Sequence, residues 1–305
     1  VPPAWDAAYP SAIREALDAG PFLTVLPSSD TALLALDAPV RHLVDKEHLT
    51  RTAAAAGFPV PESKVFRSTG ALVDAATTLS YPVVVKPAIK EPGSLTAAYR
   101  ADHPSDIIAA SKAEGPVVVQ PFVPEPMWAV AGVVWQGRLV AAVRQRYFRT
   151  WPPDCGTATA AVTLEPDRAL EQRLPSLLAP YEGVFQVQFA GRYLLDVNPR
   201  LYGSLPLAVA AGANLPAMWC DLISGRAVAD GAVRRGIPGV FYRWIEGDIR
   251  NLAEAIRHRG VSPSHALERL RPRLGTAHST ESLADPGPML ARVRYAVRRA
   301  RARQR

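Results

Sequence analysis

The stretch Leu194-Leu-Asp196-Val-Asn198-Pro-Arg200-Leu-Tyr-Gly203-Ser204 decides how this 305-residue chain is read. Its first half has the character of a strand, where residues two apart point the same way, so Asp196 and Asn198 share one face. Both carry hard oxygen donors of the kind Mg²⁺ takes, with phosphate oxygens and water completing the shell. Pro199 ends the strand because it has no N–H for a ladder. Arg200 then enters a turn with Gly203 and Ser204, where a guanidinium is placed to cover charge developing on a phosphoryl or acyl oxygen. The preceding strand, 184–189, forms a hairpin with 193–197 around Ala190-Gly191-Arg192 and brings Gln188 to the same side. A lone Asp-x-Asn on an edge hairpin needs no function, but the attached Pro-Arg-x-x-Gly-Ser favours a site.

Outward from this stretch, Tyr81-Pro-Val-Val-Val-Lys86-Pro reads as a buried strand that ends in a lysine. The chain has thirty arginines but only five lysines, at 46, 64, 86, 90 and 112. Where arginine is the default cation, a lysine in an apolar strand asks for a reason, and a compact ammonium suits a phosphate oxygen in a tight site. Asp45 is placed to cap a helix over 46–56 that Gly57 ends. A second buried strand, 116–120, runs into Pro121-Phe122-Val123-Pro124. Residues 127–135 and 138–146 form a hairpin turning at Gln136-Gly137, which sets Arg144 and Arg146 on one face. Residues 147–157 read as a long loop, and 88–97 as a loop holding Gly93 and Ser94. A short buried strand is predicted at 22–26, further strands near 63–66 and 239–244, and helices at 31–36, 71–79, 104–113, 167–179, 205–211, 215–224 and 248–257. Strands alternating with helices, with several hairpins among them, predict an α+β layered fold rather than a doubly wound sheet.

Composition bounds the function. With 48% hydrophobic and 21% charged residues the chain is of ordinary globular make-up. No apolar run reaches the ~18–20 residues that span a bilayer, and the first residues lack a basic segment followed by an apolar one. Two cysteines, Cys155 and Cys220, suggest no disulfide framework, so a reducing, cytoplasmic setting is expected. The formal charge of +7 is uneven, for residues 292–305 hold seven arginines and no acid. Such a run reads first as a solvated tail, with binding to an anionic surface or polymer as the sharper alternative. Nucleic-acid recognition is not expected, since aromatic RNA-binding signatures and zinc-finger spacings are missing, and no G-x-x-x-x-G-K-[ST] occurs.

Asp196-Val-Asn198-Pro-Arg200 resembles the metal-binding acid-x-Asn-Pro-Arg strand of ATP-grasp enzymes, with Asp where Glu is commoner. Val187-Gln188-Phe189-Ala190 resembles the neighbouring strand as carbamoyl-phosphate synthetases have it. The resemblance continues in order over roughly residues 22–225. Lys46 matches the first nucleotide-side lysine and Lys86 the strand lysine that meets ATP phosphates. The loop with Gly93 and Ser94 matches the lid over the phosphates. Gln120-Pro121-Phe122-Val123 resembles the hinge that reads adenine, where Val123 would donate its N–H and Pro121 offer its carbonyl, and Glu125 is placed for the ribose hydroxyls. Arg144 and Arg146 correspond to basic residues that contact the γ-phosphate or an acyl-phosphate. Gly203-Ser204 and the following helix match the flank of an acceptor pocket. Arg243, Trp244 and Asp248 resemble a motif of ATP-grasp carboligases on the substrate side.

The resemblance implies an ATP-grasp fold, two α+β lobes clamping ATP behind a short N-terminal α/β pre-domain at 1–45. The small lobe would take 46–120, the large lobe 121–228, and a C-terminal extension with the basic tail 229–305. Gln188, Asp196 and Asn198 would hold Mg²⁺, or Mn²⁺. The implied activity is ATP-dependent ligation of a carboxylate to an amine through an acyl-phosphate. The alternatives are an ATP-grasp enzyme with a non-amine acceptor and an ATP-binding module with impaired catalysis. Small-molecule carboxylate and amine substrates are the expected partners, and a homodimer is the commonest assembly for such a chain.

Overall fold

Two sheets facing one cleft organise the chain in the computed structural model, which describes residues 2, 6–36, 39–90, 94–95, 97–109, 115–226, 231–258, 260–282 and 284–303. In chain order the strands are β1 (Lys64–Phe66), β2 (Val83–Pro87), β3 (Tyr99–Ala101), β4 (Val117–Pro121), β5 (Met127–Trp135) and β6 (Arg138–Trp151), followed by β7 (Thr157–Thr163), β8 (Gly183–Ala190), β9 (Tyr193–Asn198), β10 (Arg234–Arg235), β11 (Phe241–Arg243) and β12 (Ala277–His278). The smaller sheet has the order β1-β4-β2-β3 and is antiparallel throughout. The larger runs β12-β11-β7-β6-β5-β8-β9, with β10 pairing in parallel onto β6.

Strand alternation explains how each sheet builds a core on one face and a site on the other. In β2, Val83 and Val85 pack with Leu72, Ala76 and Ile107 from the covering helices, while Val84 and Lys86 face the cleft. In β8, Phe185, Val187 and Phe189 pack against Leu49 and Ala53 of helix Lys46–Ala55 and against Leu170, Leu174, Leu177 and Leu178 of helix Arg168–Leu178. The intervening Gln186 and Gln188 therefore open on the cleft. At the β8–β9 pair the register shifts after Gln188, opposite Asp196. That irregularity lets Leu194 and Val197 both enter the core, with Leu195, Asp196 and Asn198 on the cleft side.

Helix Lys46–Ala55 begins where predicted. The Asp45 carboxylate accepts from the Glu47 N–H at 3.0 Å, an N-cap that satisfies a donor left free by the first turn. The Lys46 N–H meets Ala88 O at 2.8 Å, so the helix start is pinned to the exit of β2 and Lys46 is buried beside Lys86 at the cleft.

Three sequence expectations change. Residues 22–26 form no strand; Phe22 and Leu23 are exposed, and the segment is held instead by Trp219 Nε1 donating to Thr24 Oγ1 at 3.3 Å and by Leu201 N–H donating to Pro27 O at 3.0 Å. An apolar run becomes a strand only when a neighbour takes its backbone groups, and among the described residues none does. The loop expected over 147–157 shortens to a turn, since β6 continues to Trp151 and β7 starts at Thr157. Gly156 makes that turn possible, because a Cβ there would lie 2.1 Å from Trp151 O. The boundary expected at 228 falls inside the larger sheet, which β10, β11 and β12 extend.

Helix Ile245–His258 is locked to this sheet by Asp248, which is fully buried. Its carboxylate accepts two bonds from Arg149, at 2.5 and 2.8 Å, and one from Thr159 Oγ1 at 3.2 Å, and lies 3.3 Å from Arg243 Nε. Removing one member of a buried charge network strands the others. Asp248→Ala should therefore lower the unfolding free energy by about 3–5 kcal/mol in denaturant titrations. Glu246→Ala, whose partners Arg250 and Arg292 stand in solvent, should cost under about 1 kcal/mol.

Candidate functional site

The cleft between the sheets, a cavity of about 220 Å³, gathers four cations: Lys46, Lys86, Lys90 and Arg200. Like charges in a low-dielectric site repel strongly, and two carboxylates offset them. Asp196 pairs with Lys46. Asp30, itself buried, takes Arg200 Nε on one oxygen at 2.5 Å and Lys90 Nζ on the other at 3.0 Å. Burial pushes the carboxyls of Asp30 and Asp196 up, but the surrounding cations win. Arg200, Lys90 and Lys46 hold Asp30 well below the usual carboxylate range, and Lys46, Lys90 and Lys86 lower Asp196. Lys86 Nζ donates to Leu195 O at 2.9 Å, joining the small lobe to β9. Its pKa is pulled down to about 8, chiefly by burial, with Asp196 opposing the shift.

Arg200 is fixed at three points. Besides Asp30, its guanidinium donates to Asn198 Oδ1 at 2.6 Å and to Leu201 O at 2.9 Å. Asn198 Nδ2 and Gln188 Nε2 both approach Gln186 Oε1 at 3.5 Å, and Gln188 also lies 3.3 Å from Tyr147 OH. Behind them Ser204 Oγ sits between Gln145 and Gln186, at 3.0 and 3.3 Å from their amide nitrogens. The metal-ligand expectation thus meets a set of one carboxylate and neighbouring amides. Among the described residues no group of three or more His, Cys, Asp or Glu side chains is placed to hold a metal ion. Such a set fits Mg²⁺ arriving on phosphate, because that ion dehydrates reluctantly and is bound through one or two carboxylates plus phosphate oxygens.

The structure brings most of the expected residues to this cleft and leaves others out. Lys46, Lys86, Gln188, Asp196, Asn198 and Arg200 line it together, and so do Gln120, Pro121, Phe122 and Val123. The Gln120 amide is turned to Ser63 Oγ at 2.7 Å, and the Phe122 N–H donates to Pro82 O at 3.0 Å. Among the described residues the Val123 N–H has no protein acceptor.

Arg144 and Arg146 do share a face, but it is the face turned away from the cleft. Arg144 lies over the Trp128 ring at 4.8 Å and 4.0 Å from Asp167, and Arg146 over Phe148 at 4.9 Å. On β6 it is Tyr147 and Trp151 that line the cleft, with Gln145 buried behind Ser204. Glu125 is exposed beside Gly191 and opens on an adjoining cavity of about 590 Å³, which Arg146 also lines. Ser94 stands next to Gly115 and is not among the residues lining the cleft, and Gly93 lies outside the described residues. Arg243 and Asp248, expected on the substrate side, belong to the ion network of helix Ile245–His258.

Sequence reasoning missed Asp30 and Lys90. Lys90 carried the same signal as Lys86, a lysine in an arginine-rich chain, whereas nothing local marks Asp30. Cys155 lines the cleft, but burial raises its thiol to about 12, so the thiolate that a nucleophile needs is not formed near neutral pH.

Residues 113–247 match the family described as "ATP-grasp in the biosynthetic pathway with Ter operon". No curated protein sequence matches the chain significantly. Among solved structures, the fold is similar to L-amino acid ligase from Bacillus licheniformis, with TM-score 0.52, 15% identity, and 74% of this chain and 63% of that one covered. Biotin carboxylase from Campylobacter jejuni gives 0.53, 15%, and 74% and 54%. The biotin carboxylase domain of Hydrogenobacter thermophilus 2-oxoglutarate carboxylase, in complex with MgADP, ADP and bicarbonate, gives 0.53, 12%, and 77% and 55%. The chain thus spans between 54% and 63% of the length of these structures. The two-lobed chain has the ATP-grasp fold, and its residues 113–247 match the model of an ATP-grasp family.

Proposed function

We propose that the chain is an ATP-dependent ligase that activates a carboxylate as an acyl-phosphate and passes it to an amine. The observation that carries this reading is the gathering of Lys46, Lys86, Lys90 and Arg200 in one cleft with Asp196 and Asn198, where Lys46 pairs with Asp196 and Arg200 donates to Asn198. A polyphosphate matches that charge, and the Val123 N–H with the Pro121 carbonyl suits the edge of adenine. The names of the similar L-amino acid ligase and of the carboxylase domain holding MgADP support the same class.

In this reading Lys46, Lys86 and Lys90 neutralise the phosphates. Asp196, with the amide oxygens of Gln188 and Asn198, would hold Mg²⁺, which supplies Lewis-acid stabilisation of phosphate charge. Arg200, held by Asp30 and Asn198, is preorganised to cover charge on the transferring phosphoryl group, so little reorganisation is needed as that charge develops. The substrate carboxylate oxygen attacks the γ-phosphorus and ADP leaves. The amine nitrogen then attacks the acyl carbon, inorganic phosphate leaves, and the nitrogen gives up a proton. The gathered lobes keep water from the activated acyl group.

Lys86 sets the pH dependence of nucleotide affinity. Below about 8 it is charged in the free chain, and a bound phosphate favours that charged form. ADP affinity should therefore fall as pH rises through this value, by at most ~10-fold per unit for one proton. Isothermal titration should find the slope in wild type and not in Lys86→Met, and identical profiles would contradict the assignment. The same shift has a second consequence with the opposite sign for stability. The unfolded chain keeps the Lys86 proton up to 10.5, so the free protein should gain stability from Lys86 as pH rises from about 8 to 10.5.

Phosphate release from Mg·ATP, measured across pooled amino acids and small carboxylates, tests the ligase reading directly. The expected result is substrate-dependent release that Lys86→Ala abolishes. ADP binding without any such release would favour a nucleotide-binding module instead.

A further inference from the structure

We propose that the C-terminal helix Gly287–Arg303 docks the protein on an anionic lipid surface, lying in the plane of the interface. This inference is independent of the ligase reading.

Charge is the first argument. Residues 245–305 contain thirteen arginines, no lysine and six acids, so they carry the whole formal charge of +7 and the preceding 244 residues are neutral overall. The second argument is that exposed apolar side chains gather in the same part of the chain. Among the described residues, seven of thirteen large exposed hydrophobics lie there, including Ile249, Leu267 and Leu274. On the helix itself Leu290 is 49%, Val293 55% and Tyr295 51% exposed. Arg292 of this helix pairs with Glu246 of the body.

The spacing on this helix distinguishes the kind of partner. Met289, Leu290 and Val293 fall on one side of a 3.6-residue turn, with Arg294 and Arg298 on one flank and Arg292 on the other. In sequence, small or apolar residues recur at 296, 297 and 300 in the same register. An apolar stripe bordered by cations is the pattern of a helix that sinks its stripe below lipid headgroups and keeps its charges at their phosphates. A nucleic acid would match the charge alone and leave Leu290 and Val293 in water. No helix among the described residues is long and apolar enough to cross a membrane, so the contact is peripheral.

Flotation of the full chain with phosphatidylcholine vesicles, with and without phosphatidylglycerol, tests the proposal. The expected result is partition onto the phosphatidylglycerol vesicles only, weakening as salt rises. Arg294→Gln/Arg298→Gln should reduce it about thirty-fold, as two charges at ~1 kcal/mol each imply. Leu290→Ser/Val293→Ser should reduce it by at least ~10-fold, as burial of two aliphatic side chains implies. Leu290, Val293, Arg294 and Arg298 are all exposed, so circular dichroism should find both variants folded.

Three results would overturn the proposal. The first is equal partition onto both vesicle types, or onto neither. The second is full binding by the serine variant, with heparin competing it away, which marks a site for a polymer. The third is a serine variant that binds vesicles normally but turns a dimer into a monomer, which means a second copy covers the stripe.

Discussion

Holding four cations together in one half-dry cleft is the constraint on which the rest of the structure depends. Lys46, Lys86, Lys90 and Arg200 would drive the lobes apart without Asp30 and Asp196. Lys86 shows the strain most plainly: burial outweighs its attraction to Asp196 and lowers its pKa. A site that keeps a surplus of positive charge at such a cost is suited to an incoming anion, which completes what the two carboxylates begin.

The architecture follows from delivering those side chains. Lys86 arrives by strand parity, since its neighbours Val83 and Val85 belong to the core of the small lobe. Lys46 arrives by an N-cap and a backbone bond to Ala88. Arg200 arrives because Pro199 ends β9 and the segment around Pro27 and Asp30 packs on the following turn. Asp30 therefore couples the three parts of the molecule. It lies on a helix ahead of both lobes, grips Lys90 from the small lobe and holds Arg200 on the large one.

What could be read from sequence was whatever is written locally. Asp196-x-Asn198-Pro-Arg200 is a strand, a parity and a stop within five residues; β9 ends at Asn198, and Asp196, Asn198 and Arg200 all line the cleft. Lys46 and Lys86 were legible because caps and β-branched runs are short-range features. Arg144 and Arg146 illustrate the limit. Their shared face was legible, but which face of β6 looks into the cleft is set by the packing of helix Arg168–Leu178 across the sheet. Asp30 was illegible for the same reason, since its partners stand 60 and 170 positions away. The run at 22–26 had strand composition but gained no neighbour to pair with among the described residues, and the sheet continues past 228 through pairings that no local pattern announces.

In the proposed function a nucleotide lies between the lobes and touches both. Hydrogen exchange with and without Mg·ADP tests it most directly. A nucleotide held between the lobes should slow exchange at the hinge, 120–123, together with 193–201 around Asp196 and Arg200. Protection confined to one lobe, or found away from both segments, would contradict it.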